Sequence, residues 1–400
     1  MKNRGNHWRT SLTRRDALCG LAGFLAGSPQ IAAQQDPFRD HSRVPGLDEL
    51  LTAFDFEPVA YAKLPREAYD YTAQGVESEF TLRRNREAFN WVSIVPKSVA
   101  DVSSIQTATE ILGTKLAFPI MIAPSAGQGQ LHPQGELAMH QGSTAASETP
   151  MVVSNNSSFP MDKIAAAAKG PLWFQLYPRQ QTDANRDILD GAQAAGVQAI
   201  VITVDQQSSY YERQTHNRRL ANAGTSARRT SMRGQPTGPP NSYRITDTRL
   251  WYDWEFVDRI RPFVKVPLLI KGVVTPEDAK LCVEHGLDGI IVSNHGGRSL
   301  DYGPATLEVL PEIVDAVAGR IPVVIDSGFR RGSDIFKALA LGAKAVCLGR
   351  VPRWGLGAYG SQGVQRILEI LQNELTMTMA HAGRPTLESI DRTAVRVDLP

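Results

Sequence analysis

The chain has 400 residues, 42% of them hydrophobic, and sets 43 lysines and arginines against 41 aspartates and glutamates for a formal net charge of +2. That length buries a sizeable core as one large α/β barrel or as two smaller domains, and the balanced charge gives no reason to expect nucleic acid as a partner. Cys19, Cys282 and Cys347 are too few and too scattered for a disulfide framework or a zinc site, so no metal centre is expected.

Residues 1–34 read as an export signal. Ser11-Leu12-Thr13-Arg14-Arg15-Asp16-Ala17-Leu18 precedes a modest apolar run from Cys19 to Gly27, then Pro29 and Ile31-Ala32-Ala33. Basic, apolar, small is the order of a secretory signal. Paired arginines after Thr13 resemble the twin-arginine signal, which carries folded proteins across a bacterial inner membrane. The expectation is a periplasmic protein loaded with any cofactor before export; a chance Arg-Arg pair would leave it in the cytoplasm. Residues 35–115 read as a helical extension, in which Pro65 opens a helix and Tyr69-Asp70-Tyr71 sets two tyrosines near Gly75.

Residues 116–380 repeat one pattern of short apolar run, polar or glycine turn, and amphipathic helix. Strands are expected at Phe118–Ala123, Met151–Ser154, Leu172–Tyr177, Ala199–Asp205, Leu268–Lys271, Gly289–Ser293, Val323–Asp326 and Ala345–Leu348. Helices are expected at Gly135–Ala146, Asp183–Ala195, Pro276–His285, Ala305–Val317 and Ser333–Leu341. Strict alternation implies parallel strands, and eight units close a (β/α)8 TIM barrel. An open doubly wound sheet is disfavoured, because no Gly-x-Gly-x-x-Gly follows the first strand. The long polar crossover at 206–250 reads as a lid on the catalytic side, and residues 381–400 as a C-terminal tail.

Barrel active sites form at the C-terminal ends of the strands. Here those ends carry Pro124-Ser125-Ala126, Ser154, Gln175 and Tyr177, Thr203 and Asp205, Lys271, Ser293 and His295, Asp326-Ser327-Gly328 with Arg330, and Gly349-Arg350. Side chains alternate along a strand, so Gln175 and Tyr177 share a face, as do Thr203 and Asp205, and Ser293 and His295. The sixth strand, Ile290-Ile291-Val292, delivers Ser293-Asn294-His295-Gly296-Gly297-Arg298. It places an imidazole, the side chain titrating nearest neutrality, beside a guanidinium shaped for a carboxylate or phosphate. Gly328, Arg330, Gly349 and Arg350 occupy the usual phosphate-holding loops. Ser154, Gln175, Thr203 and Lys271 suit a flat heteroaromatic ring over the barrel mouth, as a reduced flavin requires.

Taken together, Tyr69-Asp70-Tyr71, Ile120-Met121-Ile122-Ala123-Pro124, Phe174-Gln175-Leu176-Tyr177, Thr203-Val204-Asp205, Ile270-Lys271-Gly272-Val273, Ser293-Asn294-His295-Gly296-Gly297-Arg298 and Asp326-Ser327-Gly328-Phe329-Arg330-Arg331-Gly332 resemble the FMN-dependent α-hydroxy-acid oxidase and dehydrogenase family. The resemblance runs from about Leu64 to Ala380. It implies FMN as cofactor and oxidation of a small L-2-hydroxy acid to the 2-oxo acid, by a hydride or a carbanion route. By the same resemblance His295 takes the proton and Asp205 holds its imidazolium. Tyr177 binds the substrate oxygen, Arg298 and Tyr69 hold the carboxylate, and Lys271 stabilises the reduced ring. The acceptor stays open among oxygen, quinone and cytochrome, and a homotetramer is implied.

One departure concerns the carboxylate. Family members usually carry a second arginine after the fourth strand, at the position of Tyr211 here. Its loss weakens carboxylate binding by roughly 1.5–3 kcal/mol unless Arg213 replaces it. Otherwise the ligand is a non-carboxylate or carrier-linked hydroxy compound, such as an ester or amide.

Overall fold

The computed structural model describes residues 43–179, 181–205 and 253–398. The export signal, the crossover at 206–250, Tyr211 and Arg213 lie outside the described residues. Eight strands form a closed parallel barrel: β1 (Ile120–Ile122), β2 (Met151–Ser154), β3 (Leu172–Leu176), β4 (Ile200–Thr203), β5 (Leu268–Val273), β6 (Gly289–Val292), β7 (Val323–Ile325) and β8 (Ala345–Leu348). Each pairs with the next, and β8 returns to β1 with Val346 opposite Ile120. Strand ends fall within two residues of expectation, and the five expected helices within one.

Period-two alternation explains why these runs bury both faces. Ile200 and Ile202 join the outer layer beneath the helices, whereas Val201 points into the barrel with Met121, Val152, Trp173, Leu269, Ile291, Val324 and Cys347. The same alternation carries Gln175, Thr203, Lys271 and Ser293 to the C-terminal end of that inward face. A hairpin, Thr109–Ile111 with Thr114–Leu116, adds Ile111 and Leu116 to the interior cluster and closes the opposite mouth. Trp173 Nε1 donates to Thr114 Oγ1 at 2.8 Å, fixing that plug to β3.

The extension supplies α1 (Phe56–Lys63), α2 (Arg66–Ala73) and α3 (Phe80–Glu87). Helix α3 docks on the loops after β6 and β7. Asp301 accepts from Ser78 N and Thr81 N, both at 2.9 Å, and the Asn85 and Asn294 amides pair at 2.9 and 2.8 Å. Arg84 forks onto Glu308 with two bonds of 2.7 Å, and Arg86 meets Asp334 at 2.7 Å. The extension is therefore a rim of the catalytic face, beyond the single tyrosine contact that the resemblance implied for it.

After β8 the chain runs Arg350–His381 as a helix broken at Tyr359 and Gly360, which has φ +61°. The tail is structured as well. Val395–Val397 pairs antiparallel with Val92–Ile94 of the extension.

Candidate active site

The centre of the catalytic face is an imidazole held from two sides. His295 Nδ1 lies 2.9 Å from Asp205 Oδ1, and Tyr177 OH lies 3.4 Å from His295 Nε2. Ser293 Oγ donates to Asp205 Oδ2 at 3.1 Å and accepts from His295 N at 3.0 Å. Lys271 Nζ reaches Asp205 Oδ2 at 3.2 Å and Asp326 Oδ2 at 3.7 Å. Residues from β3 to β7 thus converge on one polar cluster.

The charges follow from this geometry. Burial pushes the Asp205 carboxyl up, but Lys271 and then His295 overcome it and hold the group down at about 2. Burial lowers His295, Lys271 lowers it further, and Asp205 opposes both. Burial also works against the Lys271 ammonium, yet Asp205 and Asp326 hold its pKa above the ordinary lysine range. The imidazole is therefore neutral near pH 7. With Nδ1–H donating to the carboxylate, Nε2 keeps its lone pair. One glycine makes this packing possible: Gly272 has φ +120°, and a Cβ there would stand 2.7 Å from Asp205 Cβ.

Tyr69 is a correction. Its hydroxyl donates to Glu57 Oε1 at 3.1 Å, and its ring stacks on Trp354 at 5.2 Å, so it packs the extension against the last helix. Tyr71 takes the predicted position instead, with the Arg298 guanidinium 4.6 Å from its ring centroid. Residues two apart on a helix point about 200° apart, so only one tyrosine of the pair could face the site. The buried Ala68 and Thr72 on α2 were the signal that bears on the choice. Tyr71→Phe is expected to raise the KM for a hydroxy acid several-fold, with Tyr69→Phe near wild type; steady-state kinetics on the two variants checks this.

Arg298 Nη1 donates to Tyr71 O and, at 3.3 Å, to Gln74 O. Arg350, expected at a phosphate, donates to Thr72 O, Gly296 O and Gln74 O at 2.8, 2.8 and 3.0 Å, tying α2 to the His295 loop. Gly328 is needed for a reason other than ligand approach. A Cβ there would meet Asn85 O at 2.3 Å, so it admits the docked helix α3. Asn155 was missed as a positioning residue: its Oδ1 accepts from Tyr177 N at 3.2 Å and its Nδ2 donates to Tyr177 O at 3.5 Å.

The remaining predicted positions fit a flavin mononucleotide. Ser154 Oγ donates to Gln175 Oε1 at 2.9 Å, and among the described residues Gln175 Nε2 is buried without a partner, as is Thr203 Oγ1. Buried polar atoms of this kind call for a ligand that hydrogen-bonds them. Pro124, Ser125 and Ala126 are half-buried beyond β1, with Ser125 bonded to Gln128 Nε2 and Ala126 O to Arg353. Burial pushes the Arg330 guanidinium down to about 10 against the opposing pull of Glu57, and its side chain bonds only Phe329 O among the described residues. Gly349 caps the last helix, and a Cβ on it would meet nothing within 4 Å. A desolvated cation and an open helix N-terminus each suit a phosphate.

The FMN-dependent dehydrogenase family profile matches residues 60–397. The chain belongs to that family. Glycolate oxidase 3 of Oryza sativa subsp. indica is 40% identical over 359 residues, covering 88% of this chain and 97% of that protein. A peroxisomal (S)-2-hydroxyacid oxidase of Arabidopsis thaliana is 38% identical over 361 residues, covering 88% of this chain and 98% of that one. A solved structure of mandelate oxidase superposes with a TM-score of 0.78 at 32% identity, covering 88% of this chain and 100% of its own. The protein is accordingly an FMN-dependent hydroxy acid oxidoreductase with FMN as its cofactor.

Proposed function

We propose that this enzyme oxidises a small L-2-hydroxy acid to the 2-oxo acid, with His295 as the base. The observation that carries the reading is the 2.9 Å contact of His295 Nδ1 with Asp205 Oδ1, which leaves Nε2 as acceptor toward Tyr177. Arg298 and Tyr71 hold the carboxylate, and on substrate binding Tyr177 turns its one O–H from His295 Nε2 to the substrate's hydroxyl oxygen, which frees Nε2. His295 Nε2 takes one proton from the substrate, and Asp205 stabilises the imidazolium that results. FMN, when bound, would supply the two-electron acceptor and take up the electron pair together with the substrate's second hydrogen. Gln175, Thr203 and Lys271 hold its ring, and Arg330 with Gly349 its phosphate. General base catalysis of this kind contributes roughly 10²–10⁴-fold.

A second reading, an uncharged hydroxy compound such as an amide or ester, draws on Tyr211. An arginine-to-leucine variant of mandelate oxidase has been crystallised with 2-hydroxy-phenylacetamide. It draws also on Arg298, whose Nη1 already serves two carbonyls. Anaerobic mixing of the yellow enzyme with L-2-hydroxy acids, their amides and their esters separates the two. Bleaching of the flavin band by acids alone supports the first reading, and bleaching by amides or esters alone replaces it. Reoxidation by dissolved oxygen against quinone or cytochrome then assigns the acceptor. Export to the periplasm and assembly into a tetramer belong to the same proposal.

A further inference from the structure

Ser327 holds a backbone conformation that an L side chain adopts at a cost. Its φ is +81°, a value glycine reaches freely and serine does not. Strain of this kind persists where the surroundings over-determine it, and it clusters at functional sites. The one thing serine adds over glycine here is a hydroxyl. That hydroxyl is buried and used twice: Ser327 Oγ donates to Asp326 Oδ1 at 2.7 Å and accepts from Gly296 N at 3.1 Å.

Both contacts lead to the base. Gly296 follows His295 in a run of three left-handed residues, with φ +59° at His295, +66° at Gly296 and +73° at Gly297. Such a turn has no regular ladder of its own to hold it. Asp326, on the other side, reaches Lys271 at 3.7 Å, Lys271 reaches Asp205 at 3.2 Å, and Asp205 holds His295 at 2.9 Å. The contacts close a ring: His295, Gly296, Ser327, Asp326, Lys271, Asp205 and back to His295. Without the hydroxyl the ring is open between the sixth and seventh strands.

We propose that Ser327 is a positioning residue whose hydroxyl closes this ring, fixing the turn that carries His295 and aiming the Asp326 carboxylate at Lys271. The inference rests on the assignment of His295 and Lys271 made above. Lys271 is a buried cation balanced by two carboxylates. Releasing Asp326 from its aimed position leaves more of the lysine charge uncompensated, and an uncompensated cation beside the bound ring favours the reduced, more negative form.

Ser327→Gly and Ser327→Ala form the test, read by turnover, by the midpoint potential of bound FMN and by thermal melting. Glycine removes the hydroxyl and relieves the strain, and alanine removes the hydroxyl and keeps it. Both variants are expected to lose kcat about five- to tenfold, the worth of one hydrogen bond, and to shift the potential to more positive values. Only alanine is expected to melt below wild type. Wild-type kcat and potential in either variant would overturn the proposal. So would a loss of kcat with an unmoved potential, and so would losses that follow melting temperature rather than the hydroxyl. Wild-type enzyme bleached by no hydroxy compound would instead retire the underlying reading, independently of the variants.

Discussion

Replacing His295 with alanine is expected to leave FMN bound, with a flavin spectrum close to wild type, while anaerobic reduction by the hydroxy acid slows by roughly 10²–10⁴-fold. The argument is geometric. No other side chain in the cluster offers a neutral acceptor at that position: Asp205 is held by Lys271 and Ser293, and Tyr177 is a donor toward Nε2. Stopped-flow bleaching of the visible flavin band reads the effect directly. A variant reduced at the wild-type rate would remove His295 from the mechanism. In the wild type, burial and Lys271 set the imidazole below its ordinary range. The free base therefore persists to lower pH, and the acid limb of kcat/KM is expected below the unperturbed value of about 6.5. An acid limb above that value would contradict the electrostatics.

Loss of the Asp205 charge is expected to harm rate and stability together. Among the described residues, Asp205→Ala leaves Lys271 buried with only the 3.7 Å carboxylate contact to Asp326, and stripping one partner from a buried pair costs about 3–5 kcal/mol. Asp205→Asn keeps the shape but no longer balances the lysine or the imidazolium, so reduction is expected to slow by roughly 10²–10⁴-fold. Chemical denaturation and stopped-flow reduction on both variants check this, and full stability of the alanine variant would show that Lys271 is balanced elsewhere. The sign of the pH dependence is fixed by the depressed carboxyl. Its contribution to stability is complete above the unfolded value of about 3.9 and is lost only as the pH falls toward the folded value of about 2.

The barrel was legible because its strands are buried on both faces, which leaves apolar runs too short for anything else and a polar residue wherever a strand emerges. Gln175, Thr203, Lys271 and Ser293 could be assigned to one face by counting in twos. The helical extension gave no such rule. Its contacts with the site span more than two hundred residues, as in the pairing of Asn85 with Asn294, and no local pattern encodes a partner that distant. Tyr69 was taken for Tyr71 because both side chains satisfy the same motif, and only packing against Trp354 or Arg298 separates them. Arg350 was read as an anion holder from its loop, and no local pattern shows that three carbonyl groups from elsewhere in the chain also engage it. Composition likewise cannot reveal that Ser327 sits at positive φ.

The hairpin at Thr109–Leu116 has a consequence for the order in which molecules come and go. Leu116, Ile111 and Trp173 fill one end of the barrel, and among the described residues the polar cluster around His295 lies at the other, rimmed by α2, α3 and the His295 loop. On the function proposed above, hydroxy acid and 2-oxo acid enter and leave at that rimmed end. A 2-oxo acid still bound there is then expected to slow reduction and reoxidation alike, which rates measured with added 2-oxo acid would check.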